Sequence, residues 1–141
     1  MFSPRLFRDL ILPVYERMIK RLRAAGCRKI ILHCDGDLRP LLDSLMDAGI
    51  DGIHPVEPRA GMDATEVRKQ YGDQLALIGG VDNTYILPRG QAGEVESHIR
   101  SLCEIGREGG FIIGTHSIGP DVTVSRYELY RRYVACYGTY E

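Results

Sequence analysis

The sequence predicts an α/β fold in which four parallel βα units follow an N-terminal helix. Four short apolar runs, "KIILHC", "DGIHPV", "LALIGGV" and "FIIGT", recur along the chain. Each is succeeded by a stretch of helical character, the alternation expected of strands joined by crossover helices. Glycines stand where those helices need C-caps.

The first element is helical. Ser3 before Pro4 is an N-cap and first-turn signal, and Leu6, Leu10, Val14, Met18 and Leu22 recur on one face until Gly26. Pro13 lies inside this pattern and predicts a break, with a longer helix starting afresh near Leu12 and running to Ala25. The helices between and after the strands are "LRPLLDSLMDAG", "DATEVRKQYG", "QAGEVESHIRSLCEIG" and "SRYELYRRYVACYG". In the last of them Tyr127, Tyr130, Val134 and Tyr137 share a face, expected to pack on the sheet. A parallel sheet of this kind is expected to be covered on both faces.

Composition restricts the function classes. The 141 residues are 44% hydrophobic and 26% charged with a formal net charge of -1, which describes an ordinary soluble domain without a basic footprint for nucleic acid. No apolar run approaches the ~20 residues of a membrane span, and "MFSPRLFRDL" lacks the core of a secretory signal, so a cytoplasmic protein is expected. Cys27, Cys34, Cys103 and Cys136 form no CxxC pair and read as reduced thiols.

Ligands of parallel α/β sheets sit at the carboxyl ends of the strands, so the residues after each apolar run are the candidates. The first strand ends in His33 and Asp35, the second in His54 and Glu57, the third in Asp82, and the fourth in Thr115, His116 and Ser117. Side-chain alternation puts His33 and Asp35 on one strand face and Cys34 on the other. An imidazole and a carboxylate so placed can hold a divalent metal, or the carboxylate can fix the imidazole tautomer. The competing reading is a turn at Asp35-Gly36 that caps the next helix, with His33 in a core hydrogen bond. Glu57, between Pro55 and Pro58, reads either as a positioned acid or as a partner for Arg59. Gly79 and Gly80 before Asp82 permit close approach of a backbone or a ligand. His54 falls on the opposite parity from Glu57, and His98 lies in a surface helix; both are expected to be structural.

The segments "SPRLFRDLILPVYERMI", "ILHCDGDLRPLLDSLMDAGIDGIHPVEPRAGMD", "YGDQLALIGGVD" and "GGFIIGTHSIGPDV" resemble the C-terminal portion of the uroporphyrinogen decarboxylase superfamily. The resemblance implies a (β/α)8 TIM barrel, and the family includes porphyrinogen decarboxylases and cobalamin-dependent methyltransferases. A complete barrel needs ~250 residues, so four βα units make residues 1–141 a single partial domain, the C-terminal half of a barrel. That half would arise by truncation, by a shortened reading frame, or as a natural half-barrel. Its unpaired edges and open apolar face predict self-association, or pairing with a missing N-terminal half.

The family's branches imply different chemistry. The decarboxylases carry their substrate-gripping arginines and aspartate in an N-terminal portion with no counterpart here. The methyltransferases place His-x-Cys-Gly in a thiol-activating zinc site; here the stretch is His33-Cys34-Asp35-Gly36, and His116 stands near the place of a later cysteine ligand. The resemblance therefore implies a metal site of His33, Asp35 and His116, built from nitrogen and oxygen, for zinc or a harder divalent ion. Glu57 and Asp82 are the expected catalytic groups. The preferred parent activity is metal-assisted methyl transfer to or from a small-molecule substrate, with a corrinoid protein as partner carrying the methyl group. The alternatives are uroporphyrinogen decarboxylation, which needs no cofactor, and a non-catalytic self-associating half-barrel.

Overall fold

The computed structural model describes residues 3–140. Four parallel strands, β1 (Ile31–His33), β2 (Gly52–Val56), β3 (Ala76–Gly80) and β4 (Phe111–Gly114), form one sheet in the order β1-β2-β3-β4. Sequential neighbours joined by helices are the arrangement of half an eight-stranded barrel.

The N-terminal segment comprises α1 (Pro4–Leu6), a π-helical turn (Phe7–Ile11) and α2 (Leu12–Ala24). The Ser3 hydroxyl accepts the Leu6 N–H and so caps α1. Pro13 has no N–H to donate, and the wide turn just before it closes through the Leu12 N–H to the Phe7 carbonyl, so the helix restarts where the proline predicts. The apolar stripe is only partly covered. Phe7, Leu12, Tyr15, Ile19 and Leu22 pack on the core, whereas Leu6, Leu10, Val14 and Met18 are about half exposed. Asp51 fastens the end of α2 to the sheet: it accepts the Ile30 N–H at 2.7 Å and pairs with Arg23 and with Lys29 at 3.2 Å.

After β1 come α3 (Leu42–Asp47), then α4 (Ala64–Tyr71) after β2, and α5 (Ile86–Arg89) and α6 (Ala92–Gly106) after β3. The register pairs Leu32 with Ile53, Ile53 with Leu77 and Leu77 with Phe111, a row that faces the helices. Ile53, Leu77, Leu42, Leu45, Val67 and Ile99 are buried there. The other row is open, with Ile31 48% and Ile112 62% exposed. The sheet is thus covered on one face, not both, because every crossover helix lies on the same side, as in a barrel wall. The last helix, α7 (Val124–Tyr137), also departs from expectation: it packs on α6 and α5 rather than on the sheet. The Tyr137 hydroxyl donates to Glu96, and Arg126 donates to the Ile86 and Leu87 carbonyls at 2.8 Å.

Among the described residues no helix is long and apolar enough to cross a membrane. All four cysteines are unpaired, with Cys103 buried and Cys34 half-buried.

Two features position the strand ends. Between Ile53 and Val56, β2 advances three residues while β3 advances two, from Leu77 to Gly79. This bulge brings the Val56 backbone within 3.0 Å of where a Cβ on Gly79 would sit, and Gly79 adopts φ 118. The glycine is therefore used for approach of a neighbouring backbone. His98 on α6 accepts the Asp82 N–H through Nε2 at 3.2 Å. Accepting through Nε2 requires a neutral ring, and burial holds the His98 pKa below its ordinary value, against the opposing pull of Asp82, the Gly80 backbone and Asp63.

Two outcomes follow for stability. Asp63 caps α4 by accepting the Thr65 N–H at 2.9 Å and the Glu66 N–H at 3.0 Å, so Asp63→Ala is expected to cost about 1 kcal/mol in denaturant unfolding. His98 has a lowered folded-state pKa, so the unfolded chain takes up its proton first as pH falls. Its contribution is intact above the unfolded value of ~6.5 and is lost as pH falls from there toward the depressed folded value. Thermal midpoints measured down this range should fall less steeply for His98→Gln than for the native chain; equal slopes would exclude His98 as the titrating group.

Candidate functional site

The four strand ends meet at one rim, and their polar side chains form two linked groups. At the end of β1, His33 Nδ1 lies 2.8 Å from His54 Nδ1, with ring centroids 4.8 Å apart. The register places these residues directly opposite each other, on the open face. His33 Nε2 also lies 3.6 Å from Asp35 Oδ2, and both of these side chains are exposed. His33 and Asp35 therefore converge as strand alternation predicts, and Cys34 turns to the helix-covered side. Burial first and the adjacent Asp35 second push the Cys34 thiol pKa up, so this cysteine stays protonated at neutral pH.

The turn after β1 is capped by a different aspartate from the one expected in the turn reading. Asp37 accepts the Arg39 N–H at 3.1 Å and holds the Arg39 guanidinium in a two-point pair at 2.8 and 2.7 Å. Asp35 is left for the rim.

His54 was expected to be structural, and it stands in the site. The parity argument fails because the β2 bulge inserts one residue between Ile53 and Val56 and shifts the alternation, so that His54 and Glu57 both reach the rim. Burial lowers the His54 pKa, and the His33 and His116 charges lower it further against Asp35. The ring is held neutral, as required of a metal ligand or a proton acceptor.

The second group is more enclosed. Glu57 is 9% exposed, and its Oε1 accepts the Arg59 N–H at 3.0 Å, capping the short turn Pro58–Ala60. Its Oε2 lies 3.1 Å from His116 Nδ1 but off the line of a ring N–H, so this buried oxygen has no hydrogen-bond partner. Asn83 Nδ2 points to the same His116 nitrogen at 3.3 Å and donates to the Ser117 carbonyl at 2.6 Å. With Nδ1 accepting from Asn83, His116 leaves Glu57 Oε2 free.

Asp82 is 6% exposed and its oxygens are engaged. Oδ1 accepts the Thr84 and Tyr85 N–H groups at 2.8 and 2.9 Å, and Oδ2 accepts from Arg59 Nε at 3.0 Å. Burial alone would raise this carboxyl, but the Tyr85 and Thr84 N–H groups and the Arg59 guanidinium outweigh it and hold its pKa below the usual range. What Asp82 does in this arrangement is aim Arg59 across the rim. Arg59 therefore pairs by its backbone with Glu57 and by its side chain with Asp82.

The donors come in pairs. His33 with His54, His33 with Asp35, and Glu57 with His116 each offer two points of nitrogen or oxygen. Among the described residues no three His, Cys, Asp or Glu side chains are grouped to hold one metal ion, so His33, Asp35 and His116 are not gathered as a trio. The donor chemistry suits zinc or a harder divalent ion.

The profile described as uroporphyrinogen decarboxylase (URO-D) matches residues 1–135. Two curated relatives are methylcobamide:CoM methyltransferase MtaA from Methanosarcina barkeri, 26% identical over 106 residues, and its counterpart from strain Fusaro / DSM 804, 24% identical over 106 residues. Each match takes in 75% of this chain and spans 30% of the relative's length. The strand order, the shared rim and the near full-length profile match agree: the chain belongs to the uroporphyrinogen decarboxylase family.

Proposed function

We propose that this chain forms one wall of a methyl-transfer site in which the methyl group is exchanged with a corrinoid carried by a partner protein. The observation that carries this reading is His33 at the end of β1, paired with His54 and Asp35, in a chain similar to a methylcobamide methyltransferase. A divalent metal held there would supply Lewis acidity and lower the pKa of a bound nucleophile. His33 with His54 or Asp35 would provide two of its ligands. Glu57 Oε2, buried beside His116 without a partner, is placed to take a proton from a substrate, Asp82 orients Arg59, and Arg59 offers its guanidinium to an acidic substrate group.

A second reading, porphyrinogen decarboxylation, is favoured by the Glu57–His116 pair and Arg59. A carboxylate-holding cation beside a carboxylate and an imidazole 3.1 Å apart suits proton transfer at carbon without a metal.

Calorimetric titration with zinc, cobalt and manganese separates the two. Under the methyl-transfer reading the native chain binds at least one of these ions, and His33→Ala weakens binding roughly tenfold or more. Native protein that binds none of them leaves the decarboxylation reading. Turnover by the chain alone, assayed with methyl-cobalamin plus a thiol and separately with uroporphyrinogen, should fall far below that of a complete family enzyme. Catalytic groups of a barrel come from several strands, and a misplacement of ~1 Å costs on the order of a hundredfold. Substantial activity that disappears in Asp35→Ala would show this wall to be sufficient.

A further inference from the structure

We infer that Asn83 is a positioning residue for His116: its side-chain amide occupies the lone pair of Nδ1, so the neutral ring carries its proton on Nε2 and presents an N–H, not a lone pair, to whatever enters the rim. The inference rests on the hydrogen-bond network alone and holds for either reaction proposed above.

The turn after β3 places Asn83. Asp82 Oδ1 accepts the Thr84 and Tyr85 N–H groups, and the Asp82 N–H is itself held by His98, so the backbone is pinned on both sides of Asn83. From there the side chain crosses to the segment after β4 and meets two groups. Its Nδ2 lies 2.6 Å from the Ser117 carbonyl oxygen and 3.3 Å from His116 Nδ1. A carbonyl oxygen only accepts, so the atom beside Ser117 has to be the amide nitrogen; the reversed amide would set two acceptor oxygens against each other. This orientation is kept although it leaves Asn83 Oδ1 buried without a partner. The amide nitrogen has two hydrogens. One is used by Ser117, and the other is directed at His116 Nδ1. A proton on Nδ1 would face that N–H, so Nδ1 accepts and the ring proton goes to Nε2.

Glu57 supplies the competing arrangement. Its Oε2 is 3.1 Å from the same Nδ1 and would draw the ring proton to that side if the ring turned to meet it. Instead Oε2 is buried without an aligned donor. Asn83 thus selects between two states of one imidazole. Without it, an Nδ1–H would bond Glu57 and Nε2 would carry the lone pair. With it, Nε2 is the donor, and this nitrogen makes no hydrogen bond among the described residues, on a side chain that is 23% exposed. A ring held in this form suits a carbonyl or carboxylate oxygen of a substrate. Metal ligation at the rim is left to His33 with His54 or Asp35, whose nitrogens and oxygens Asn83 does not touch.

Long-range proton–nitrogen NMR correlations of the isotope-labelled chain at about pH 8, where an ordinary imidazole is neutral, report which ring nitrogen carries the proton. The His116 signals are those lost in His116→Gln. In the native chain His116 should be in the Nε2–H form. Asn83→Asp puts acceptors where the amide donor stood and should reverse the ring to Nδ1–H; Asn83→Ala should shift it the same way, toward Glu57. A further variant separates hydrogen bonding from packing. Glu57 Oε1 is held by the Arg59 N–H, so in Glu57→Gln the amide oxygen stays there and the amide nitrogen takes the place of Oε2, beside Nδ1. Adding Glu57→Gln to Asn83→Ala should therefore restore the Nε2–H form, a rescue that lost packing at Asn83 would not give. Circular dichroism and thermal melting verify that each variant is folded; if Asn83→Asp fails to fold, the native chain, Asn83→Ala and the double variant carry the comparison. A native His116 with its proton on Nδ1, an Nε2–H form unchanged by the Asn83 substitutions, or a double variant that stays Nδ1–H would overturn the proposal.

Discussion

Burial of one face of a parallel sheet is the interaction on which the other features depend. Leu32, Ile53, Leu77 and Phe111 form the row that meets the helices, and Ile53 and Leu77 are almost wholly withdrawn from solvent. Side chains alternate with period two, so a slip of one residue would carry this row to the open face and lose the burial. The register is held by that cost. Once it is held and the strands run parallel, their carboxyl ends have to lie at the same border, and His33, Glu57, Asp82 and His116 are gathered by topology rather than by any attraction among them. Asp51 supports the same register from the opposite border, tying the start of β1 to the start of β2.

The rim divides into fixed and available charge. Asp82 has both oxygens taken by backbone N–H groups and Arg59, so its ionised form is strongly preferred and its position is set. Glu57 has one oxygen taken and the other buried beside His116 without an aligned donor. An unpartnered carboxylate oxygen in a partly desolvated place is costly, and it is relieved by a proton or a cation. The polar chemistry available at this rim is therefore concentrated at Glu57 and the imidazoles, while Asp82 and His98 serve to keep the β3 end in place.

Much of this was legible in the sequence. The βα alternation marked all four strands, the Pro13 restart was visible from proline chemistry, and reading each strand end picked out residues that do meet. Four features were hidden for identifiable reasons. His54 was set aside because alternation was counted straight through β2, and a bulge is recorded in backbone pairing rather than in residue type. The stripe Leu6–Leu10–Val14–Met18–Leu22 marks a helix, but periodicity shows that a helix has an apolar side and not which side is covered; here only Leu22 of that stripe packs on the core, and Phe7, Leu12, Tyr15 and Ile19 join it there. The last helix, α7, packs on α6 and α5 rather than on the sheet, and Tyr137 donates to Glu96 of α6, since a helix after an edge strand has half a sheet beneath it and a helix beside it. Asp37 rather than Asp35 caps the turn, a choice between two aspartates that spacing alone leaves even.

The two sheet edges have a further consequence for the chain while it is being made. A parallel edge with exposed isoleucine is a template for strand addition by whatever meets it during synthesis. Here β1 spans three residues and β4 four, so each edge presents few ladder positions to an incoming strand. The segment following each soon breaks extended geometry, at Asp35-Gly36 and at the turn before α7. Brevity at the borders thus limits templated aggregation kinetically, and leaves side-chain fit, rather than backbone pairing, to decide what the chain joins.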